Sequence, residues 1–233
     1  MLELIEQGEI QSTAQKQMNV SLEMLEAVAK DPEFGSQVRV YAPEPSLAFS
    51  RRETLLPGYE RAKAAALEMG YEPIIRTSGG RAVAYDQDSL VFDLVVPEVQ
   101  RKLPNDFVFY EFSVALVSLF KSIGLATQIG EIPGEYCPGK YSIHFAKVQK
   151  IVGTAQRNIR GARLISGFIH LGEIERIQEV LTRVYEATDF DWNPATVGST
   201  RTAGIDVSAS EFARLLTHEL TDFGQHLFRK NYH

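Results

Sequence analysis

A single cysteine stands in this chain, and it sits in a segment made for turning, Glu135-Tyr136-Cys137-Pro138-Gly139-Lys140. Proline and glycine hold the backbone to a tight course, which fixes where the thiol points. Tyr141 to Phe145 then alternates as a strand does, and Lys147 to Gln156 reads as a second strand running into a kink at Gly153-Thr154-Ala155. Two short strands bring Cys137 and Lys150 close together. The chemistry this pairing suggests is a thiolate nucleophile kept ionised by a neighbouring ammonium. Plainer readings compete, since a lone cysteine is more often a small buried hydrophobe and a strand lysine more often a solvated cation.

Arg76 to Asp86, RTSGGRAVAYD, is the second informative stretch. Paired glycines at 79 and 80 let a backbone approach a ligand closely, and their amides can face a carbonyl or phosphate oxygen. The same pair also suits a hairpin connection. Neither GxxxxGK nor GxGxxG spacing is present, so the stretch is neither a phosphate loop of the nucleotide-hydrolase kind nor a dinucleotide fingerprint. His144, on the strand after the cysteine, is a rival general base or a structural histidine. Arg157, Arg160 and Arg163 form a basic cluster that either solvates a hairpin or steers an acidic protein toward the thiol.

The elements that must hold these residues follow from periodicity. Ala14, Met18, Leu22, Leu25 and Val28 make one face of a helix that Asp31-Pro32 ends. Short strands around Val38 to Val40 and Leu47 to Phe49 flank a turn at Pro43 and Pro45, and a helix begins near Pro57 and stops at Gly70. Strands are expected at Glu72 to Ile75, Leu90 to Val96 and Ala162 to Leu171. A helix over Asn105 to Gly124 carries Phe109, Phe112, Leu116, Leu119, Phe120 and Ile123, as core or as walls for an apolar chain. Ile174, Ile177, Leu181 and Val184 mark another helix. Ser208 and Glu211 in capping-box spacing announce the last, with a stripe from Phe212 to Leu227. Thr188 to Val207 is turn-rich and reads as a loop that either covers a site or merely connects.

With 233 residues, 44% of them hydrophobic, the chain can bury a substantial core. Its net charge of −6 argues against a nucleic-acid or anionic-membrane binder. No apolar run approaches the ~20 residues that span a bilayer, and Met1 to Glu9 lacks the basic start of a secretory leader. A lone cysteine agrees with a reducing compartment, so a cytoplasmic location is expected. Strands arriving in a group, with helices at both ends and in the middle, favour an α+β fold, a mixed β-sheet packed with helices.

The order of RTSGGRAVAYD, EYCPGKYSIHF and KIVGTAQR, with RGARLISGFIHLG behind them, resembles the biotin/lipoate protein ligase catalytic-domain superfamily, which includes the octanoyl transferases. The resemblance runs from the first helix to about Gly172. The cysteine of YCPG is similar to that of the branch that moves octanoyl between lipoyl-domain proteins by amidotransfer. What this implies is a class II biotin/lipoate ligase-like catalytic domain over residues 1–233. It would pass an octanoyl or lipoyl group through a thioester on Cys137 to the lysine of a lipoyl-domain protein. Cys137 and Lys150 would be catalytic. Arg76, Ser78, Gly79, Gly80, Arg81, Ala82, Tyr85, Tyr141, His144, Gly153, Thr154, Ala155 and Gln156 would contact substrate. Implied partners are the glycine cleavage H protein, the E2 component of 2-oxoacid dehydrogenases and acyl carrier protein. Such a transferase needs no cofactor and no metal.

An ATP- and Mg-dependent ligase for lipoate, octanoate or biotin is the second reading, and a non-catalytic acyl- or lipoyl-domain binding protein the third. Two positions depart from the ligase pattern. Arg81 replaces a third glycine and would crowd an adenylate, and Tyr85-Asp86 replaces His-Asp.

Overall fold

The computed structural model describes residues 14–98 and 102–232; the Met1–Glu9 segment lies outside them. Two sheets form. The larger has strand order β1-β5-β9-β8-β7-β6, built from β1 (Gln37–Tyr41), β5 (Ser89–Glu98), β9 (Gly161–His170), β8 (Gln149–Ile159), β7 (Ile143–Phe145) and β6 (Gln128–Ile129), with antiparallel pairing throughout. The smaller has order β3-β2-β4, from β2 (Ser46–Ser50), β3 (Glu72–Arg76) and β4 (Val83–Tyr85), where β2 pairs parallel with β3 and antiparallel with β4. The expected α+β class is observed, with mixed pairing confined to the small sheet. The strands on either side of Pro43 and Pro45 do not pair with each other; the turn carries the chain from one sheet to the next.

Alternation along β5 decides which face does what. Leu90, Phe92, Leu94 and Val96 point into a core shared with α3 (Asn105–Ser122) and α5 (Ala209–Tyr232). Residues 91, 93 and 95 take the opposite face. There they meet Phe168, Ser166 and Leu164 of β9 in register, and Gly153 and Ala155 of β8 continue the first two rows. α1 (Ala14–Lys30) packs over β5 and β9, burying Leu25 and Val28 against Val95 and Leu164. α2 (Tyr59–Glu68) and α4 (Glu175–Ala187) pair on the small-sheet side. The caps follow the sequence: Asp31 accepts the Glu33 amide just beyond α1, and Ser208 accepts the Glu211 amide at the start of α5.

Two expectations are corrected here. β8 passes through Gly153-Thr154-Ala155 without a kink; the missing Cβ at Gly153 instead makes room for the Phe168 ring, whose Cε1 would lie 2.5 Å from it. Nor do the three arginines form a surface patch. Arg163 is 1% exposed, pairs with Glu98 at 2.6 Å and donates to the Leu103 carbonyl and to Asn105 and Gln156. Arg157 donates to the Thr77 carbonyl, leaving Arg160 alone exposed. The reason is strand alternation. Arg163 lies between Ala162 and Leu164 in the centre of the sheet and has a buried carboxylate within reach. None of the helices among the described residues is long and apolar enough to cross a membrane.

Arg163→Met strands the Glu98 carboxylate in the sheet and should lower unfolding free energy by about 3–5 kcal/mol, read as a shifted urea midpoint at unchanged slope. A loss under about 0.5 kcal/mol, the range of exposed substitutions, would show that the pair is solvated.

Candidate active site

Cys137 has φ 45°, a left-handed conformation that few side chains adopt. This turn sends its two ends in different directions. The sulfur faces the glycine loop, where it accepts the Arg81 amide at 3.2 Å and lies 3.9 Å from Nη2 of Arg76. The carbonyl faces Lys150, whose Nζ donates to it at 2.7 Å and to the Tyr136 carbonyl at 3.1 Å. The amide donates to the Tyr185 hydroxyl, which itself donates to the carbonyl of Ala82. The cation against the sulfur is therefore Arg76, and the expected contact between the sulfur and the Lys150 ammonium is replaced by one with the Cys137 backbone.

Gly80 explains the glycine pair. It has φ +102°, and a Cβ there would lie 2.6 Å from the sulfur and 2.8 Å from Arg76 Nη2. The hairpin alternative fails because β3 and β4, the strands flanking Gly79-Gly80, both pair with β2 rather than with each other.

Lys150 is 2% exposed and pairs with the buried Glu135 at 3.4 Å. Glu135 also accepts the amides of Ile132 and Gly139 and the Ser142 hydroxyl. All three N–H groups of Lys150 thus have acceptors, so it holds the cysteine turn rather than standing as a free proton acceptor. On the glycine side Glu53 does the matching job, accepting the Ser50 amide and hydroxyl and the Ala82 amide. Burial first of all raises the phenol pKa values of Tyr185 and Tyr136, which keeps both neutral. Burial would lower the Arg76 pKa, but Tyr85, Cys137 and Glu53 outweigh it, and the guanidinium stays charged.

The sulfur opens onto a cavity of about 390 Å³, in the range of small-molecule sites. Arg76, Ser78, Gly79, Gly80, Tyr85, Cys137, Tyr141, Lys150, Gly153, Thr154, Ala155 and Gln156 all line it. Phe109 also lines it and stacks on Tyr141 with centroids 5.2 Å apart, while Phe112, Leu116 and Phe120 belong to the core. Three expected contacts lie outside the lining. The Arg81 guanidinium turns away to stack on Phe190 at 4.3 Å, so it crowds nothing in the cavity. Ala82 is buried and presents only its backbone, to Glu53 and Tyr185. His144 is buried in β7, where Nδ1 accepts the Lys147 amide from the turn to β8, and burial lowers its pKa. It is no rival base.

The Thr188 to Val207 segment is not a cover. Val197 bridges to Lys150, the Gly198 amide donates to the Lys150 carbonyl and the Asn193 amide to that of Gly134, so the segment braces the cysteine turn from behind. Glu135, Glu53 and Tyr185, which hold the site, and Asp93 and Ser166, which line it, are among the site residues that sequence reading missed. The one local signal was Glu135, an acidic residue immediately before the turn-forming YCPG segment.

A family model described as the lipoyl protein ligase A/B catalytic domain matches residues 14–221. The chain belongs to this family. Among its relatives is the octanoyl-[GcvH]:protein N-octanoyltransferase of Geobacillus kaustophilus, 29% identical over 203 residues, an alignment covering 82% of this chain and 71% of that protein. The lipoyl-[GcvH]:protein N-lipoyltransferase of Listeria monocytogenes is 26% identical over 124 residues, 53% of this chain and 44% of that one. Several matched octanoyltransferases are likewise spanned over about half their length. A crystal structure of lipoate-protein ligase A bound with ATP superposes with a TM-score of 0.66 at 19% identity, covering 92% of this chain and 90% of the other, and so shares the fold.

In this family member two substitutions probe the site. Gly80→Ala should drive the sulfur and Arg76 apart and cut alkylation of Cys137 by iodoacetamide at least tenfold at unchanged far-ultraviolet circular dichroism; an unchanged rate would mean the contact is loose. His170, at the end of β9, is pushed down to about 3 from 6.5 by burial and by Lys150. It is neutral when folded, so it contributes stability above pH 6.5 that is lost as pH falls toward 3. Over that window wild type should lose about 1.4 kcal/mol more per pH unit than His170→Gln, by urea titration, and parallel profiles would refute this.

Proposed function

We propose that the protein is an acyltransferase that moves an octanoyl or lipoyl group, through a thioester on Cys137, to the lysine of a lipoyl-domain protein. The observation that carries this reading is the placing of the sulfur at the head of the cavity, between the Arg81 amide and the Arg76 guanidinium. The names of the relatives supply the donor, octanoyl-[GcvH] in most of them and lipoyl-[GcvH] in one, and call the acceptor only a protein; a lipoyl-domain lysine as acceptor is what the family resemblance implies.

In the first step sulfur bonds to the acyl carbonyl carbon, the bond from that carbon to the donor lysine nitrogen breaks, and the thiol proton leaves on the donor amine. In the second, the acceptor amine bonds to the same carbon, the carbon–sulfur bond breaks, and the proton shed by the amine returns to sulfur. Charge develops on the carbonyl oxygen in both. We assign it to Arg76, whose buried Nε–H has no acceptor among the described residues and whose side chain lines the cavity. Lys150 positions the cysteine turn through the Cys137 and Tyr136 carbonyls.

Neither step consumes ATP or needs a metal, and the reading takes residues 1–233 as one catalytic domain working in the cytoplasm, where a lone thiol stays reduced. With Arg81 turned onto Phe190, its bulk no longer argues against a ligase; the distinction rests on the cysteine.

Intact-mass spectrometry after mixing with octanoylated H protein should reveal an octanoyl adduct without ATP, absent from Cys137→Ser, and acceptor octanoylation should fall at least a thousandfold in that variant. Transfer that persists in Cys137→Ser, or that requires ATP, would point to a ligase instead; no transfer and no adduct would leave a binding protein. Arg76→Met should lower kcat about a hundredfold with KM little changed, as loss of a carbonyl-oxygen donor does.

A further inference from the structure

One transverse row of the cavity floor does not suit a plain hydrocarbon. Arg39, Asp93, Ser166 and Ala155 stand side by side on β1, β5, β9 and β8. Asp93 and Ser166 both line the cavity, as does Ser21 of α1. Asp93 is 3% exposed; its carboxylate accepts the Ser166 hydroxyl at 2.6 Å and faces Nη1 of Arg39 at 3.5 Å. On β5 and β9 themselves the neighbouring pairs are apolar, Val91 with Phe168 on one side and Val95 with Leu164 on the other. A scaffold needing only an alkyl slot could fill this row with aliphatic side chains, because buried ion pairs are commonly replaceable by hydrophobic residues without loss of stability.

Position in the sheet shows which end of a ligand meets the row. Gly153, beside Lys150, lies two residues along and two strands across from Asp93, so the strand and sheet spacings separate them by about 12 Å. Cys137 lines the same cavity as Asp93 and Ser166, so an acyl group joined to its sulfur can run its far end toward them.

We infer, resting on the acyltransfer reading, that Asp93 and Ser166 are specificity-determining residues that select acyl chains bearing a hydrogen-bonding group, a hydroxyl or thiol, near the far end. The Ser166 hydroxyl has spent its proton on Asp93 and can accept from such a group, and Asp93 keeps acceptor capacity beyond its two partners. A bare methyl end would cover these acceptors without bonding them. Burial foremost raises the Asp93 pKa, with Ser166 and Arg39 opposing, which agrees with a carboxylate that gains from any further donor.

Calorimetry with free octanoate and 8-hydroxyoctanoate reads this without any transfer step. Wild type should bind the hydroxy acid at least as tightly as octanoate, and the ratio of dissociation constants should swing toward octanoate by about tenfold in Ser166→Ala and further in Arg39→Met/Asp93→Leu, which removes both charges together. Ser166→Ala deletes one oxygen, and its melting temperature serves as the check on folding. A preference for octanoate by the same factor in all three proteins overturns the inference, even where octanoyl transfer proceeds normally. Conversely, a swing in the ratio with no transfer in wild type would sustain the polar pocket end and sink the acyltransferase reading.

Discussion

The geometry of the site depends on one buried ion pair, Glu135 with Lys150, side chains 0% and 2% exposed. Two charges taken out of water are favourable only when further hydrogen bonds complete their shells. Here the chain completes them by folding around the pair. Glu135 gathers two amides and a hydroxyl from residues 132–142, and Lys150 gathers the carbonyls of Tyr136 and Cys137. The pair therefore works mainly as a device of shape. His170 nearby is held neutral first by its own burial and further by the Lys150 charge.

A second constraint joins the two sheets. The Tyr185 hydroxyl donates to Ala82 behind the glycine loop and accepts from the Cys137 amide, so one oxygen ties the β3–β4 loop to the cysteine turn. It can do both only as a neutral phenol, which its burial ensures. Trp192 stacks on the same ring at 5.3 Å, and Phe190 packs against it while carrying the Arg81 guanidinium on its own face. The aromatic cluster beneath Tyr185 thus fixes the loop whose amide and arginine meet the sulfur.

Much of this could be read from the sequence where the signal is local. The strand candidates at Leu90 to Val96 and Ala162 to Leu171 fell on β5 and β9, helical stripes located α1, α3, α4 and α5, and turn chemistry singled out Cys137 and Gly79-Gly80. What escaped were contacts between residues far apart in the chain. Glu53 reaches Ala82, Tyr185 reaches Cys137 and Glu98 reaches Arg163, and no spacing rule connects them. Arg163 shows the cost of reading a cation by type, because a place on an interior strand with the Glu98 carboxylate diagonally across makes it core. The direction of the cysteine side chain was equally hidden, because it depends on the sign of one dihedral angle.

That dihedral separates two functions that proximity alone would have merged. A non-glycine residue at φ 45° is strained by about 1–2 kcal/mol, and such conformations persist only where neighbours over-determine them. Cys137 is held from both sides, its amide by Tyr185 and its carbonyl by Lys150. Relaxing it to right-handed φ would move the sulfur off the Arg81 amide and give up one of those bonds. Lys150 thus influences the sulfur through the backbone, while Arg76 supplies the charge beside it. Because the turn and the charge come from different sheets, the environment of the sulfur can be altered from the glycine loop while the ion pair that shapes the turn stays intact.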